Sequence, residues 1–474
     1  MNAIPAPDLP VAVIGAGPVG LAAAARLVER GLRPAVFEKG ARVGAAILDW
    51  GHVRVFSPWD YNVDEAARAL LADRGAAAPE GEYLPTGEEI VRDYLEPLSR
   101  VPAIAEGLRL GAEVTGITRL GRDLMSNDGR AEAPFVVRYR DAAGEQRMLA
   151  RAVIDASGTW SKPNPMGVDG LPVPGEVEAS DLIAYGIPDV AGADREAYAG
   201  KRVLIVGSGH SAINVALALL ELQAKAPNTE ILWALRRNRI EKLLGGGLND
   251  QLPERGALGL AAKEAIVAGR LRMLAPFAAE RIRRSGERLI VEATLGGMPV
   301  TEKIDRIVVA TGFRPDFSFL REVRLALDPA VEAPPALAPL IDPNFHSCGT
   351  VPPHGIDELS HPEPGIVIVG SKSYGRAPTF LMATGYEQAR SVVAEIAGDL
   401  VAAREVRLVL PETGVCSAPA AVSASSCCGG PAPAGADACC VADAVAKEKG
   451  EAGCGCSENS AAPVASSACC QSAA

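Results

Sequence analysis

Three glycines near the start of the chain, Gly15, Gly17 and Gly20, have the spacing of a pyrophosphate-binding turn. The first permits a tight turn, the second lets the backbone approach a phosphate, and the third lets a helix pack closely on a strand. Pro18 lies within the turn. Glu38 follows the third glycine by 18 residues, where a carboxylate can accept hydrogen bonds from ribose hydroxyls. The pattern predicts a site for FAD or NAD and disfavours a 2′-phosphate.

A second turn of the same kind follows the run KRVLIV. Its residues are Gly207, Gly209, Ser211 and Ala212. Alanine at the third position still allows close packing of the helix and commonly accompanies NADP. Two arginines, Arg236 and Arg237, stand where the first motif has its acid, and guanidinium groups can bind a 2′-phosphate through charge-assisted hydrogen bonds. The sequence favours NADPH here; the alternative is a solvated arginine pair at the end of a strand.

Weaker candidates lie at three later turns and in one loop. The turns VIDASGTW, ATGFRPD and IVIVGSKS let the backbone approach a bound nucleotide at Ser157, Gly158, Thr311, Gly312 and Gly370. His52 and Trp59 are candidates for shaping a flavin pocket. The Lys372 ammonium is a candidate for stabilising negative charge on reduced flavin. For these last three residues, a purely structural role is the alternative.

The cysteines are concentrated at the end of the chain. Only Cys348 precedes residue 416, whereas nine lie between Cys416 and Cys470. The predicted metal ligands occur as close pairs: Cys427, Cys428, Cys439, Cys440, Cys454, Cys456, Cys469 and Cys470. Such thiols suit soft ions, namely Cu(I), Zn(II) or trivalent arsenic; the alternative is a drifting low-complexity extension. A metal site built from His346, Cys348, His354 and His361 fits no standard zinc spacing, and an active-site loop is favoured there.

The elements that must hold these residues can be placed coarsely. Strands are predicted at 11–14, 203–206, 231–235 and 306–310, with further strands at 109–118, 135–139 and 148–153. Thr86 and Glu89 have the spacing of a capping box at the start of a helix. The pattern of residues 366–398 predicts a strand, a turn at Gly370 and a long helix whose N-terminus faces the ligand.

These elements predict an α/β fold with two Rossmann-like dinucleotide-binding domains, the NADPH domain being inserted into the FAD domain. A disordered, cysteine-rich tail follows, because its Ala/Gly/Ser-rich composition cannot bury a core. The predicted boundaries are 1–165 for the first part of the FAD domain, 166–199 for an interdomain connection, 200–318 for the NADPH domain, 319–410 for the second part of the FAD domain and 411–474 for the tail.

Composition limits the class of partner. The 474 residues carry a formal net charge of −11, which argues against nucleic acid and anionic membranes. The apolar stretch 9–27 is interrupted by glycines and a proline, which fits the turn better than a membrane span. We see no signal peptide and expect a cytoplasmic, reduced enzyme.

Taken together, the two glycine motifs, ASGTWSKPNP, ATGFRPD and the segment from Ile366 resemble class B-type flavin-dependent monooxygenases and the related thioredoxin-reductase-like flavoproteins. The segment SYGRAPTFLMATGYEQ, LPETGVCS and the cysteine pairs look like the flavin monooxygenase-like proteins of arsenic-resistance operons. The resemblance implies FAD, NADPH, oxygen and a small-molecule substrate, with arsenic(III) as a candidate substrate and tail ligand. It leaves a homodimer open.

Two departures from these families matter. The FxGxxxHxxx[WF] pattern expected before Lys201 is missing, which disfavours Baeyer–Villiger and N-hydroxylation chemistry, and the second domain has no CxxC for a dithiol relay. Three hypotheses remain open. The first is an NADPH-dependent flavin monooxygenase, and the second is a flavin reductase of disulfides or metal thiolates that uses the tail cysteines. The third is a non-catalytic protein that sequesters metal.

Overall fold

The fold is described from a computed structural model, which covers residues 8–237, 253–345, 351–377 and 381–408. The chain divides into two units, 1–418 and 419–474, and every described residue belongs to the first. Among these residues, no helix is both long enough and apolar enough to cross a membrane.

Sixteen strands are described. They are β1 (Val11–Ile14), β2 (Pro34–Glu38), β3 (Leu108–Leu110), β4 (Glu113–Arg119), β5 (Phe135–Asp141), β6 (Gly144–Ala150), β7 (Ala152–Asp155), β8 (Ile183–Tyr185), β9 (Arg202–Val206), β10 (Glu230–Ala234), β11 (Arg272–Leu274), β12 (Phe277–Ser285), β13 (Arg288–Leu295), β14 (Met298–Ile304), β15 (Arg306–Val309) and β16 (Ile366–Ile368).

The described helices are mostly short. They are α1 (Pro18–Glu29), α2 (Ala45–Leu48), α3 (Trp59–Asn62), α4 (Glu65–Ala72), α5 (Gly87–Glu89), α6 (Glu96–Ser99), α7 (Pro102–Ala105), α8 (Arg195–Tyr198), α9 (His210–Lys225), α10 (Pro253–Val267), α11 (Ala338–Ile341), α12 (Ile356–Leu359), α13 (Met382–Ile396) and α14 (Leu400–Arg404). A π-helix, Ile90–Leu95, joins α5 to α6. The 3-10 helices are Ser180–Leu182, Ser318–Leu320 and Gly370–Tyr374.

Two parallel sheets of five strands organise these elements. The first has the order β16-β7-β1-β2-β3 and the second β11-β10-β9-β15-β8. Strands β1, β7 and β9 are central and almost wholly buried, and their Val/Ile/Leu-rich sequences suit a sheet covered on both faces. Each parallel sheet is accompanied by an antiparallel sheet, β4-β5-β6 after β3 and β12-β13-β14 before β15. Because parallel strands end at one edge, the turns after β1, β7 and β16 meet there.

The elements around both glycine turns were predicted correctly. Strand β1 has the predicted bounds, and β10 and β15 are displaced or shortened by one residue. The capping box is confirmed, since Glu89 N donates to Thr86 Oγ1 and Thr86 N donates to the Glu89 carboxylate. Strand 109–118 was wrong as a single strand, because Gly111 adopts φ +64° and separates β3 from β4. Strand 148–153 is likewise divided at Arg151, between β6 and β7.

The prediction of a long helix directly after Gly370 was also wrong. A 3-10 helix occupies Gly370–Tyr374, and α13 begins only at Met382. Gly375 ends the 3-10 helix at φ +58°, where an added Cβ would lie 2.0 Å from the carbonyl oxygen of Val331. The long helix therefore does not begin at the Gly370 turn. The segment 166–199 also contains β8, which pairs with β15 as an edge strand of the second sheet.

Candidate nucleotide and flavin site

The first glycine turn has the close contacts that its sequence predicted. A Cβ on Gly15 would lie 2.6 Å from the oxygen of Ala156, and one on Gly20 would lie 2.0 Å from the oxygen of Gly15. At Gly17, by contrast, an added Cβ would meet nothing within 4 Å. Gly17 is the N-cap of α1, and no side chain caps that end. The turn is thus closed towards the protein and open beside a helix N-terminus, as a phosphate site requires.

Glu38 lies at the end of β2 and is 8% exposed. Its Oε2 accepts a hydrogen bond from Ala16 N at 2.9 Å, and its Oε1 accepts one from Gly40 N at 2.8 Å. The carboxylate therefore fixes the backbone of the turn. Each oxygen has a second lone pair, so these contacts are compatible with ribose hydroxyls as additional donors.

Two neighbouring turns meet the first one at the same edge of the sheet. The turn after β7 contains Ser157 and Gly158, and Gly158 has φ +68°. A Cβ on Gly158 would lie 3.7 Å from Ser371 Oγ, and one on Gly370 would lie 3.5 Å from Val19 at the start of α1. The structure thus brings Gly15, Ser157, Gly158 and Gly370 to one edge of the first sheet.

Lys372 belongs to this edge, but its ammonium group is engaged within the protein. Its Nζ lies 2.7 Å from Asp155 Oδ2, and neither side chain has any solvent exposure. The same nitrogen donates to Ser157 Oγ at 3.1 Å. Its proposed direct role towards reduced flavin stays a prediction, and the Asp155 partner was not foreseen.

A second buried hydrogen-bond network joins the Gly370 turn to α13. Gln388 Oε1 accepts a hydrogen bond from Gly370 N at 2.7 Å, and its Nε2 donates to Ser373 Oγ and to His354 Nε2. Because His354 Nε2 accepts that bond, its Nδ1 carries the proton and donates to Pro352 O. Burial lowers the pKa of His354, which agrees with a neutral ring.

The second glycine turn repeats the construction of the first. Gly207 has φ +137°, and an added Cβ would lie 2.2 Å from the oxygen of Ala310, in the turn after β15. Gly209 is the N-cap of α9, with no side-chain cap and nothing within 4 Å of an added Cβ. Ser211 lies in the first turn of α9, and Ala212 is fully buried against the sheet.

Arg236 and Arg237 follow β10 by two and three residues, at the carboxyl edge of the second sheet. Both are exposed. They stand where the first sheet has Glu38, so the two nucleotide sites have opposite charge at corresponding strand ends. An exposed guanidinium pair at the same sheet edge as an open helix N-terminus fits a phosphate monoester in addition to a pyrophosphate.

The two chain segments that cross between the sheets are joined by hydrogen bonds. Thr311 Oγ1 donates to Asn164 O at 2.9 Å, Asn164 N donates to Gly312 O, and Arg314 Nε donates to Asn164 Oδ1. The Trp160 and Phe313 rings lie 4.4 Å apart. Thr311 and Gly312 therefore lie at the crossing between the two sheets.

Two further predicted residues follow α2: His52 lies in a turn, and Trp59 is the first residue of α3. His52 is exposed, whereas Trp59 is 5% exposed and packs in the core of the first sheet. The eight predicted cysteine ligands, together with His346 and Cys348, lie outside the described residues. Within the described ranges, no group of three or more His, Cys, Asp or Glu side chains could hold a metal ion.

The residues at both edges fit the cofactors that the sequence implied. Each edge has a glycine with open space around it, at the uncapped N-terminus of a helix. The helix has 12 residues at the first edge and 16 at the second. The first edge adds a carboxylate for ribose hydroxyls, and the second adds two arginines for a 2′-phosphate. Gly17 and Glu38 would therefore hold FAD, and Gly209, Arg236 and Arg237 would hold NADPH.

Comparison with known proteins agrees with this geometry. The family model described as "Pyridine nucleotide-disulphide oxidoreductase" matches residues 9–333. Thiamine thiazole synthase of Thermococcus kodakarensis is 32% identical over 124 residues, which are 26% of this chain, and the chain spans 45% of that protein's length.

Solved structures share the fold over most of the chain. Bacillithiol disulfide reductase of Bacillus cereus is 20% identical, with a TM-score of 0.61 over 82% of this chain and 99% of that one. Ornithine N-hydroxylase of Kutzneria sp. 744 is 17% identical, with a TM-score of 0.56 over 82% and 99%. A flavin-containing monooxygenase from Stenotrophomonas maltophilia is 19% identical, with a TM-score of 0.52 over 82% and 98%. These structures confirm the mixed α/β Rossmann-like flavoprotein fold.

Proposed function

The chain belongs to the pyridine nucleotide-disulphide oxidoreductase family, and from that premise we propose that it is a monooxygenase that oxidises a small substrate. The family confirms the predicted enzyme class, a flavoprotein oxidoreductase, and the predicted cofactors FAD and NADPH. The proposal concerns the finer activity. Oxygen is the acceptor, and a trivalent arsenical is the candidate substrate.

The observation that carries the proposal is the pair of matching glycine turns with opposite charge at corresponding strand ends. Glu38 suits a ribose with free hydroxyls, and the Arg236–Arg237 pair suits a 2′-phosphate. No cysteine occurs before Cys348 in the sequence, so neither parallel sheet carries a dithiol that could accept electrons from a flavin. This favours a diffusible acceptor, for which oxygen and a small substrate are the simplest choice.

When bound, the two cofactors supply hydride transfer and the reaction with oxygen. The residues of the chain would bind and orient these two cofactors. Glu38 and the turn of Gly15, Gly17 and Gly20 would fix one nucleotide, and the arginine pair would select the other. For arsenite the overall reaction balances: two electrons from NADPH and two from arsenic(III) reduce one O2, of which one atom enters arsenate and the other leaves as water.

The test is to reduce the holoprotein with NADPH without oxygen, admit oxygen in the presence of arsenite and separate the arsenic species. One arsenate formed per NADPH consumed supports the proposal. If NADPH consumption yields only hydrogen peroxide, arsenite is not the substrate. If NADPH fails to bleach the flavin, the two turns do not form a functional pair of nucleotide sites.

A second candidate function is reduction of a disulfide or a metal-bound thiolate. It is favoured by the fold shared with bacillithiol disulfide reductase and by nine cysteines after residue 415. Labelling of free thiols before and after anaerobic addition of NADPH separates the two functions. An increase in labelled tail cysteines would favour the reductase, and an unchanged number would favour the monooxygenase.

We also propose that the tail cysteines bind a soft ion. The predicted ligands are Cys427, Cys428, Cys439, Cys440, Cys454, Cys456, Cys469 and Cys470. Thiolates prefer Cu(I), Zn(II) and trivalent arsenic, and binding releases protons. Equilibrium dialysis with arsenite, comparing the full chain with a variant in which these eight are serine, measures the bound ion directly. Equal binding by the two proteins would disprove the assignment.

A further inference from the structure

The ion pair between Lys372 and Asp155 is unusual in its burial. Nζ and Oδ2 are 2.7 Å apart, and both side chains have 0% exposure. The rings of Phe319 and Phe317 lie 4.4 and 5.4 Å from the same nitrogen, so the cation faces two aromatic rings. A buried ion pair is weak evidence for stability, because desolvation of both charges offsets their attraction. Its position in the fold is therefore more informative than its existence.

Asp155 is the last residue of β7, where it lies between Ile14 of β1 and Ile368 of β16. Its Oδ1 accepts hydrogen bonds from Ser157 N at 3.0 Å and from Ser157 Oγ at 2.6 Å. Lys372 Nζ donates to the same Oγ at 3.1 Å. Both buried charges thus converge on one exposed serine, in the turn that precedes Gly158.

The contacts join two of the three turns at the nucleotide edge. Lys372 belongs to the 3-10 helix that follows Gly370, and Ser157 belongs to the turn that follows β7. The third turn is in contact as well, because Gly15 packs against Ala156 closely enough to exclude a Cβ. The turn that contains Gly158, with its left-handed conformation, is therefore hydrogen-bonded through Ser157 to the Asp155–Lys372 pair at the end of β7.

We infer that Lys372 and Asp155 are positioning residues for FAD: Lys372 neutralises Asp155, and Asp155 fixes the Ser157–Gly158 backbone in the conformation that the cofactor binds. The inference rests on the FAD site of the proposed function and not on its substrate. It differs from the sequence-based prediction, in which the Lys372 ammonium acts on the reduced flavin directly. A preformed turn binds more tightly because less backbone has to be ordered on binding.

The experiment measures FAD binding to the apoprotein by flavin fluorescence. The main variant is Asp155→Val/Lys372→Met, because replacing both charges by apolar side chains avoids an uncompensated buried charge. We expect its Kd for FAD to rise about tenfold, as for the loss of about one net hydrogen bond, while its Kd for NADPH at the second turn stays unchanged. At saturating FAD, the reduction potential of the flavin should equal that of the wild type.

The matched control is Glu387→Leu/Arg390→Met. It removes another buried ion pair of the described structure, in α13, whose further contacts are to the backbone of Ala402, Glu405 and Arg407. We expect this control to keep the wild-type Kd for FAD. An equal loss in both double variants would overturn the inference, because it would show a general effect of destabilisation.

Single variants keep the test decisive if the double variant does not fold. Lys372→Arg retains a cation that can reach Asp155 and should bind FAD within about threefold of wild type, whereas Lys372→Gln should lose about tenfold. Unchanged binding by Lys372→Gln overturns the inference. A lowered potential in a variant with normal affinity overturns it in favour of the direct role. Failure of the wild-type chain to bind FAD would disprove the FAD site itself, and with it this inference, but that result is distinct from a failure to oxidise arsenite.

Discussion

The arginine pair provides the most direct prediction about coenzyme choice. Arg236 and Arg237 are exposed, so each contact with a 2′-phosphate is screened by solvent and contributes less than a buried pair would. We take about 1–1.5 kcal/mol for each charge-assisted contact, which gives about 2–3 kcal/mol for the pair. The variant Arg236→Ala/Arg237→Ala should therefore lose roughly 30- to 150-fold in kcat/KM for NADPH. NADH lacks the phosphate, so its kcat/KM should change little.

The assay is stopped-flow bleaching of the flavin absorbance with NADPH and with NADH as donors. The control is Arg147→Ala/Arg321→Ala, which removes the same charge from two exposed positions outside both glycine turns. This control separates specific contact from long-range attraction of an anionic coenzyme, which salt would screen. If both double variants lose the same factor, or if the main variant loses NADH and NADPH activity equally, the 2′-phosphate assignment is wrong.

Three further predictions concern the first domain. Gly17→Ala should fold and lose FAD affinity. Gly15→Ala should instead lose stability, because its Cβ would lie 2.6 Å from Ala156 O at φ +101°. Thermal unfolding of the apoprotein measures the loss of stability, and FAD titration measures the loss of affinity. Burial lowers the pKa of His354 and of His361, so the unfolded chain binds more protons below about pH 6.5. Their contribution to the free energy of unfolding is complete above that pH and falls as the pH decreases, by at most about 1.4 kcal/mol per pH unit for each histidine. In urea unfolding, the free energy of unfolding of His354→Gln/His361→Gln should therefore decrease less with falling pH than that of the wild type. Glu363 bridges two buried arginines, so Glu363→Gln should cost about 3–5 kcal/mol in urea unfolding, and a cost below about 1 kcal/mol would contradict the burial.

The glycine turns could be predicted from sequence because they depend on local constraints. A positive φ at Gly15 or Gly207 excludes most other residues, and the order of strand, turn and helix limits where such a turn can lie. The capping box at Thr86 is local for the same reason. The elements that were missed depend on partners far along the chain. Strand β8 is defined by its pairing with β15, more than a hundred residues later, and Gly375, which ends the 3-10 helix before α13, packs against the distant Val331 backbone.

The antiparallel strands β12, β13 and β14 carry a strand signal in the sequence. Their apolar residues alternate, as in Phe277 and Ala279 and in Leu289, Val291 and Ala293, and Gly286 and the Gly296–Gly297 pair mark the two turns. The Asp155 partner of Lys372 had no such signal. The two residues are separated by 217 positions, and only the pairing of β7 with β16 brings them together.

The two nucleotide edges differ in how they are held, and the difference agrees with their proposed occupants. At the first edge, the buried Glu38 carboxylate and the buried Lys372–Asp155 pair are hydrogen-bonded to the turns, as expected for a cofactor that stays bound through many turnovers. At the second edge, the charged groups are the exposed Arg236 and Arg237, and the turn after β15 is held mainly by Thr311 and Asn164. Exposed charges favour fast association with an anionic coenzyme and permit its release. The same glycine turn can therefore serve a resident cofactor and an exchanging one, because the surrounding side chains determine how firmly each is held.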